Sequence, residues 1–173
     1  IGGLFTLKGV SLNTIALLLN VSVESILNEP IYKELGVADD ARRAAISELI
    51  RHVKDAQSDP KLIDRGVSLI GGMKSSSASD RLYVLAKTGV IDQEDIKTWK
   101  TIRNAAAHGT LEVDPSKPNR LFGQVNRLIT MICKLAFFAI GYKGTYIDYS
   151  TRGWPTQQFD AVACQKRFDE NDC

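Results

Sequence analysis

A long apolar segment in the last third of the chain constrains the fold more than any other feature. Its apolar positions recur at spacings of three and four residues: Leu121, Val125, Leu128, Ile132, Leu135 and Ala139. Such spacings place side chains on one side of an α-helix. Four polar residues interrupt the segment and would be costly to place in lipid: Gln124, Asn126, Arg127 and Lys134. We therefore predict a buried core helix from about Asn119 to Tyr142, with three basic residues directed outward: Arg120, Arg127 and Lys134.

Five further segments carry the periodicity or the capping signals of helices. They run from about Leu12 to Leu27, Asp39 to Gln57, Lys61 to Ile70, Ser77 or Ser79 to Lys87, and Gln93 to His108. The last of these has Asp92 as its predicted N-cap and Gly109 just beyond its end. Pro115 and Pro118 mark a turn before the core helix. Strand patterns are rare, so we predict an all-α fold, a bundle of about five or six helices.

The two ends of the chain are predicted to lie outside this bundle, which spans residues 37–143. Residues 1–36 form an N-terminal segment with one amphipathic helix. Its run Leu4-Phe5-Thr6-Leu7 is interpreted as a short strand, which also fits the end of a preceding region. Residues 144–173 are aromatic around Trp154-Pro155 and then polar. We expect them to form an extended C-terminal segment that lies on the domain and has a loose terminus.

The composition narrows the classes of function. A chain of 173 residues that is 44% hydrophobic supports one main domain with a real core. The formal net charge is +2, so a nucleic-acid site has to be a local cluster of basic residues. The three cysteines are widely spaced and odd in number, and we expect no disulfide framework, no bound metal and no cofactor. No secretion signal is visible, and we expect a cytoplasmic protein without a membrane segment.

The stretch Arg103-Asn104-Ala105-Ala106-Ala107-His108-Gly109 carries the side chains best suited to chemistry. The chain has two histidines, and of these only His108 lies near a fixed cation and an amide. An arginine presents a planar fork of donors that fits phosphate oxygens, and a histidine exchanges a proton near neutral pH. RNA cleavage without a metal needs these groups when the 2′-hydroxyl attacks the adjacent phosphorus. We therefore predict Arg103 and His108 as catalytic residues, with Asn104 placed to hydrogen-bond the imidazole.

Helix geometry separates the two predicted catalytic residues. At about 100° per residue, one stripe of this helix is apolar: Ile96, Trp99, Ile102 and Ala106. A second stripe is polar: Lys97, Thr101, Asn104 and His108. Arg103 and His108 differ by about 140° in direction and about 7.5 Å in height, and Arg103 lies beside Trp99 at the edge of the apolar stripe. The motif is therefore interpreted as half of a site, with the other half supplied by a second copy of the chain.

Structural interpretations of the same motif stay open. Arg103 also suits an ion pair with a carboxylate such as Asp95 or Asp80. His108 suits hydrogen bonds to the free carbonyl groups at the helix end. The three alanines favour either the close approach of two backbones or simply a stable helix.

Residues outside the motif also have two interpretations each. Lys97 and Lys100 are predicted to contact an RNA backbone, and the alternative is a solvated helix face. Aromatic rings in the tail either stack on unpaired bases or clamp over the core: Tyr142, Tyr146, Tyr149 and Trp154. His52 is interpreted as a partly buried packing residue and is given no role.

The fuller pattern Ile-Arg-Asn-x-x-Ala-His-Gly, from Ile102 to Gly109, resembles the signature of the HEPN domains, named for higher eukaryotes and prokaryotes nucleotide-binding. In that family an arginine, usually followed by a polar residue, precedes a histidine by a few residues within an all-helical bundle. The resemblance covers about residues 39–142. It places Arg103, Asn104 and His108 on signature positions.

This resemblance implies a metal-independent endoribonuclease in which two protomers bring their motifs together in a shared cleft. RNA would be the substrate, and the active form would be a homodimer. The implied setting is a toxin–antitoxin system or phage defence, with an antitoxin or a larger defence assembly as a further partner. Some family members are non-catalytic, so the alternative is a module of a larger protein that binds nucleotide or RNA, or that dimerises.

Overall fold

The structure, a computed structural model of the chain, describes residues 11–33, 35–36, 40–108 and 118–171. Eight helices lie in these ranges: α1 (Leu12–Leu27), α2 (Pro30–Lys33), α3 (Asp40–Lys54), α4 (Pro60–Gly72), α5 (Ala78–Lys87), α6 (Gln93–Ala107), α7 (Pro118–Ala139) and α8 (Ala161–Asn171). Two strands, β1 (Lys143–Ile147) and β2 (Thr156–Asp160), pair in a small antiparallel sheet. This content confirms the predicted all-α class. The predicted strand Leu4-Phe5-Thr6-Leu7, the helix stop at Gly109 and the turn at Pro115 lie outside the described residues.

All six predicted helices are present, as α1 and α3 to α7, and the structure adds the short α2 and the C-terminal α8. The end of α7 shows why a helix stops where it does. Gly141 adopts a φ of 68°, a left-handed conformation that favours glycine. The N–H of Tyr142 donates to the carbonyl oxygen of Phe137 at 2.8 Å, and that of Gly141 donates to Phe138 at 3.2 Å. These two bonds form a Schellman motif, and the stacked rings of Phe137 and Tyr142 add its usual hydrophobic contact.

The core is built around α7. Its buried apolar side chains are Leu121, Val125, Leu128, Met131, Leu135 and Phe138. Buried residues of α1, α5 and α6 pack in the same cluster: Ala16, Val23, Leu27, Leu82, Leu85, Ile96, Trp99 and Ile102. Of the predicted inward positions, Ile132 is only partly buried and Ala139 is exposed. By length and composition alone Asn119–Ala139 would also suit a membrane-crossing helix, but in the structure its apolar side chains form the core.

Packing does not follow the predicted division of the chain at residue 36. The first helix, α1, belongs to the core, and the buried Asn20 amide donates a hydrogen bond to the backbone oxygen of Trp99 in α6 at 3.1 Å. In contrast, α3 and α4 pack mainly on each other. Ile46 is the buried residue of α3, and α4 has none. The core therefore includes α1 more fully than it includes residues 40–72.

A buried ionic network fixes the beginning of α6. Asp95 is fully buried, with Oδ1 3.0 Å from Nη1 of Arg127 and Oδ2 3.6 Å from Nζ of Lys134. Arg127 also lies 3.2 Å from the Asp92 carboxylate. Burial raises the pKa of Asp95, and the positive charge of Lys134 opposes this rise. The prediction that Arg127 and Lys134 point outward is wrong. It was based on their charge, but both side chains turn towards the buried carboxylate of Asp95 on the neighbouring helix, which the local sequence does not indicate.

A buried arginine fixes the beginning of α5. Arg81 donates from Nη1 to the carbonyl oxygen of Leu27 at 2.6 Å and from Nε to Oγ of Ser76 at 2.9 Å. It thereby joins the end of α1 to the residue before the α5 N-cap. Ser77 and Asp80 then form a capping box, and their hydrogen bonds lower the pKa of the Asp80 carboxyl group. This arrangement holds the first turn of α5 beside the end of α1.

The C-terminal region is folded rather than a single extended segment. Its two strands pair from Lys143 with Asp160 to Ile147 with Thr156. Rings of the tail pack around the Phe137 ring and cover the core: Tyr142, Tyr146 and Phe159. The predicted extended segment is therefore corrected to a β-hairpin followed by α8. The two strands are only five residues long, so an alternation of apolar and polar residues is hard to recognise in them. Few of the described side chains of α8 are buried, so this helix has only a weak apolar periodicity.

Candidate functional site

The exposed face of α6 carries the predicted site residues. A capping box between Asp92 and Asp95 begins the helix, and its apolar stripe of Ile96, Trp99 and Ile102 is buried. The predicted polar stripe is exposed: Lys97, Thr101, Asn104 and His108. Lys100 and Ala106 are partly buried. The predicted polar stripe is therefore confirmed, and the predicted apolar stripe is confirmed except at its last position, Ala106.

Arg103 makes an ion pair with a residue that the sequence analysis did not single out. Its Nε donates a hydrogen bond to Oε1 of Glu24 in α1 at 2.6 Å. Its guanidinium carbon lies 5.5 Å from the centroid of the Trp99 ring, in range for a cation–π contact. Both carboxylates considered in the sequence analysis are engaged elsewhere, Asp95 with Arg127 and Asp80 with Ser77. The interpretation that Arg103 pairs with one of them is replaced by its pairing with Glu24.

His108 and Asn104 lie one helical turn apart at the exposed end of α6. The backbone N–H of His108 donates to the backbone oxygen of Asn104 at 3.1 Å, and the helix ends there. Within the described part of the chain, no hydrogen bond joins the Asn104 amide to the imidazole. The orienting role of Asn104 therefore stays a prediction. Both side chains are exposed and can be reached by a ligand.

The two predicted catalytic side chains are held in different surroundings. Arg103 lies against α1 and the Trp99 ring, whereas His108 continues the exposed stripe to the helix end. Among the residues that the structure describes, no contact joins the guanidinium to the imidazole. One copy of α6 thus presents the two groups as separate features.

Two cavities open beside these residues. One, of about 340 Å³, lies at the first turn of α5 and is lined by Ser77, Ala78, Ser79, Trp99, Lys100, Arg103 and Asn104. The other, of about 430 Å³, lies between α5 and α6 and is lined by Tyr83, Gln93, Glu94, Lys97, Lys100, Thr101 and Asn104. Together they bring four of the five predicted site residues to one surface, and His108 is not among their lining residues. A cavity with two basic side chains and an amide suits an anionic ligand.

The two predicted RNA-binding lysines have neighbours of different kinds. The Nζ of Lys100 donates to Oη of Tyr83 at 3.1 Å and lies 4.6 Å from the centroid of that ring. Lys97 lies 3.5 Å from a carboxylate oxygen of Glu94, one turn earlier on the same helix. Tyr83 is 43% exposed, which is high for so large a ring. Neither Tyr83 nor Glu24 was predicted as a site residue, because each contacts α6 from another helix and no local sequence spacing connects it to the motif.

Neither the second histidine nor the cysteines add a metal-binding cluster in the part of the chain that the structure describes. His52 is exposed rather than partly buried, and its Nδ1 lies 2.9 Å from the backbone oxygen of Glu48. Cys133 and Cys164 are free thiols, while Cys173 lies outside the described residues.

No protein-family model matches the chain, and no curated protein or solved structure matches it either.

Proposed function

We propose that the chain is a metal-independent endoribonuclease whose site is completed by a second copy. One observation carries this proposal. Arg103, Asn104 and His108 are all exposed at the end of α6, while Ile96, Trp99 and Ile102 provide the packing of that helix. A cation, an amide and an imidazole are thus on the surface, outside the buried stripe that packs the helix. The resemblance of this stretch to the HEPN signature supports the same function.

The chemistry assigns one task to each group. The imidazole of His108 takes the proton from a ribose 2′-hydroxyl, and the oxygen attacks the adjacent phosphorus. Arg103 donates to the phosphate oxygens on which negative charge develops. The bond from phosphorus to the 5′-oxygen breaks, and that oxygen accepts a proton from an imidazolium. The products are a 2′,3′-cyclic phosphate and a 5′-hydroxyl end.

A second copy is proposed because Arg103 and His108 diverge on one helix. An exposed apolar surface next to Arg103 supports this arrangement. In α1, Leu17 and Val21 are 46% and 56% exposed, and they precede Glu24 on one helix face at spacings of four and three. Glu24 contacts Arg103, so this apolar surface adjoins the motif. Contiguous exposed apolar patches mark sites of protein association, and we assign Leu17 and Val21 to such a patch.

The proposed setting is a toxin–antitoxin system or a phage-defence assembly. The resemblance to HEPN domains supports this setting. The proposal includes RNA as the substrate and an antitoxin or a defence protein as a further partner. A cytoplasmic location is part of the same proposal.

A non-catalytic module is the second candidate, and one observation favours it. The ion pair of Arg103 with Glu24 and its contact with the Trp99 ring give the guanidinium a role in joining α1 to α6. In that case the surface of α6 binds nucleotide or RNA, or holds an assembly together, without cleaving a bond.

The decisive experiment compares wild type, His108→Ala and His52→Ala on tRNA and mRNA in EDTA. His52 is the matched control because it is the other histidine and is also exposed. We expect wild type and His52→Ala to produce 2′,3′-cyclic phosphate ends and His108→Ala to produce none. Equal cleavage by all three proteins would show that His108 is not catalytic. Absence of cleavage by wild type, with retained RNA binding, would favour the non-catalytic module.

A further inference from the structure

A third cavity lies beside the same helix, α6. The third cavity has a volume of about 450 Å³ and lies between α6 and α7. It shares Glu94, Lys97 and Thr101 with the second cavity, which in turn shares Lys100 and Asn104 with the first. The three cavities adjoin one another around the exposed face of α6, and we call the surface that they form the α6 groove. It runs from Arg103 at one end to α7 at the other.

Basic side chains are concentrated along the α6 groove. Five line it: Lys97, Lys100, Arg103, Arg120 and Arg127. Three of the five are in ion pairs: Arg127 with Asp92 and Asp95, Lys97 with Glu94, and Arg103 with Glu24. Lys97 and its neighbour Arg120 are the basic residues nearest the α7 end that do not contact the buried Asp95. Glu94 is the acidic residue among the lining residues. Because the whole chain has a formal charge of only +2, this is a local concentration of positive charge.

The shape of the α6 groove suits a strand rather than a small molecule. Nine helical steps separate Glu94 from Arg103, which corresponds to about 13.5 Å. At about 3.4 Å per nucleotide of a stacked strand, this length spans about four nucleotides. Gly123 in the wall has open space where a side chain would be, so α7 does not close the groove. The exposed Tyr83 ring in its middle offers a face on which an unpaired base can stack.

We propose that the α6 groove binds the phosphate backbone of single-stranded RNA and leads it from Arg120 and Lys97 to Arg103. Arg120 and Tyr83 are thereby added to the binding residues. A single strand is favoured because the groove curves around one helix, and because stacking on Tyr83 requires an unpaired base. The endpoint at Arg103 rests on the proposed nuclease function, whereas the binding itself does not.

The test measures binding of a 2′-O-methyl RNA strand of about twelve nucleotides by fluorescence anisotropy. This probe has no free 2′-hydroxyl, so its binding is measured whether or not the protein is a nuclease. The test protein carries Lys97→Ala and Arg120→Ala. The matched control carries Lys54→Ala and Lys166→Ala, two exposed lysines on α3 and α8 whose loss removes the same charge.

We expect the Kd to rise about tenfold for the groove variant and less than about twofold for the control. Glu94→Gln should strengthen binding about twofold, because it removes a negative charge from the path of the phosphates. Tyr83→Leu should weaken binding of the single strand about fivefold and leave binding of a duplex unchanged.

Three outcomes would overturn the proposal: equal weakening by the two double variants, duplex binding as tight as that of the single strand, or no binding of either by wild type. The proposed nuclease fails separately. If the protein binds the probe through Lys97 and Arg120 but never cleaves unmodified RNA, the proposal for the α6 groove stands and the proposed nuclease function is wrong.

Discussion

The two ends of α6 use charged residues in opposite ways. At its beginning, Asp95 is fully buried and lies within 3.0 Å of Arg127 and 3.6 Å of Lys134. At its end, Arg103 and His108 are exposed, and the ion pair of Arg103 with Glu24 is also partly exposed. Removing a buried partner leaves a charge without compensation, whereas an exposed ion pair contributes little to stability. The difference separates buried residues that hold the helix in place from exposed residues that a ligand can reach.

The largest expected effect is on stability at the beginning of α6. Asp95→Ala leaves Arg127 and Lys134 without their buried partner, and it should lower the free energy of unfolding by about 3 to 5 kcal/mol. Glu94→Ala, at the exposed neighbouring position, should change it by less than about 0.5 kcal/mol. Urea denaturation of both variants measures the difference. Similar small losses for the two variants would show that the network around Asp95 does not hold α6.

The next largest effect is expected at the end of α6, on the rate of RNA cleavage rather than on stability. Arg103→Ala should reduce the rate of RNA cleavage about a thousandfold, or about 4 kcal/mol in activation free energy, because the charge on the phosphate oxygens loses its donor. Its free energy of unfolding should fall by less than about 1 kcal/mol. Single-turnover cleavage and urea denaturation are measured on the same preparation. A large loss of stability with little loss of cleavage would assign Arg103 to the structure instead.

The sequence predicted which face of α6 is buried but not which residues pair with its charged side chains. The first depends on neighbours within the helix, and the second on residues far away in the sequence. The helical period of α6 correctly separated Ile96, Trp99 and Ile102 from the exposed stripe, because burial of one helix face is a local pattern. The partners of the charged residues were not predictable in this way. Glu24 is 79 positions from Arg103 in the sequence. The charge of Lys134 predicts an exposed side chain, and only the fold shows that it lies beside Asp95. The hairpin and α8 were missed because their apolar patterns are short.

A smaller effect, on KM, is expected at Glu24, the residue of α1 that pairs with Arg103. Glu24 lies 2.6 Å from Arg103, so an incoming phosphate must share the guanidinium with a carboxylate. Glu24→Gln keeps an acceptor for Nε but removes the negative charge. We expect it to lower KM two- to threefold, by roughly 0.5 kcal/mol, and to leave kcat within about a factor of two. Ser25→Ala, at an exposed position next to it, is the control. An unchanged or raised KM for Glu24→Gln would show that the carboxylate does not compete with phosphate.

The smallest effect concerns the two capping boxes. That of α6 contains the buried Asp95, whereas that of α5 contains the exposed Asp80, whose pKa is lowered by hydrogen bonds with Ser77. A lowered pKa means that the folded state binds fewer protons than the unfolded state, so the stabilisation is present above the usual carboxyl pKa of about 4 and is lost below it. Asp80→Asn should therefore lose less stability than wild type between about pH 5 and pH 3. Asp55→Asn, an exposed change outside a capping box, should lose as much as wild type. Identical acid profiles for wild type and Asp80→Asn would remove this role of Asp80.

The claim that the end of α6 is half of a site is tested most directly by mixing two inactive variants. Arg103→Ala and His108→Ala are each purified, mixed in equal amounts, and assayed for RNA cleavage in EDTA. If Arg103 of one copy works with His108 of the other, about half of the dimers are mixed and one of their two sites is intact. We predict that the mixture regains about a quarter of wild-type activity. A mixture that stays as inactive as its components, under conditions where mixed dimers are detected, would contradict a site shared between two chains.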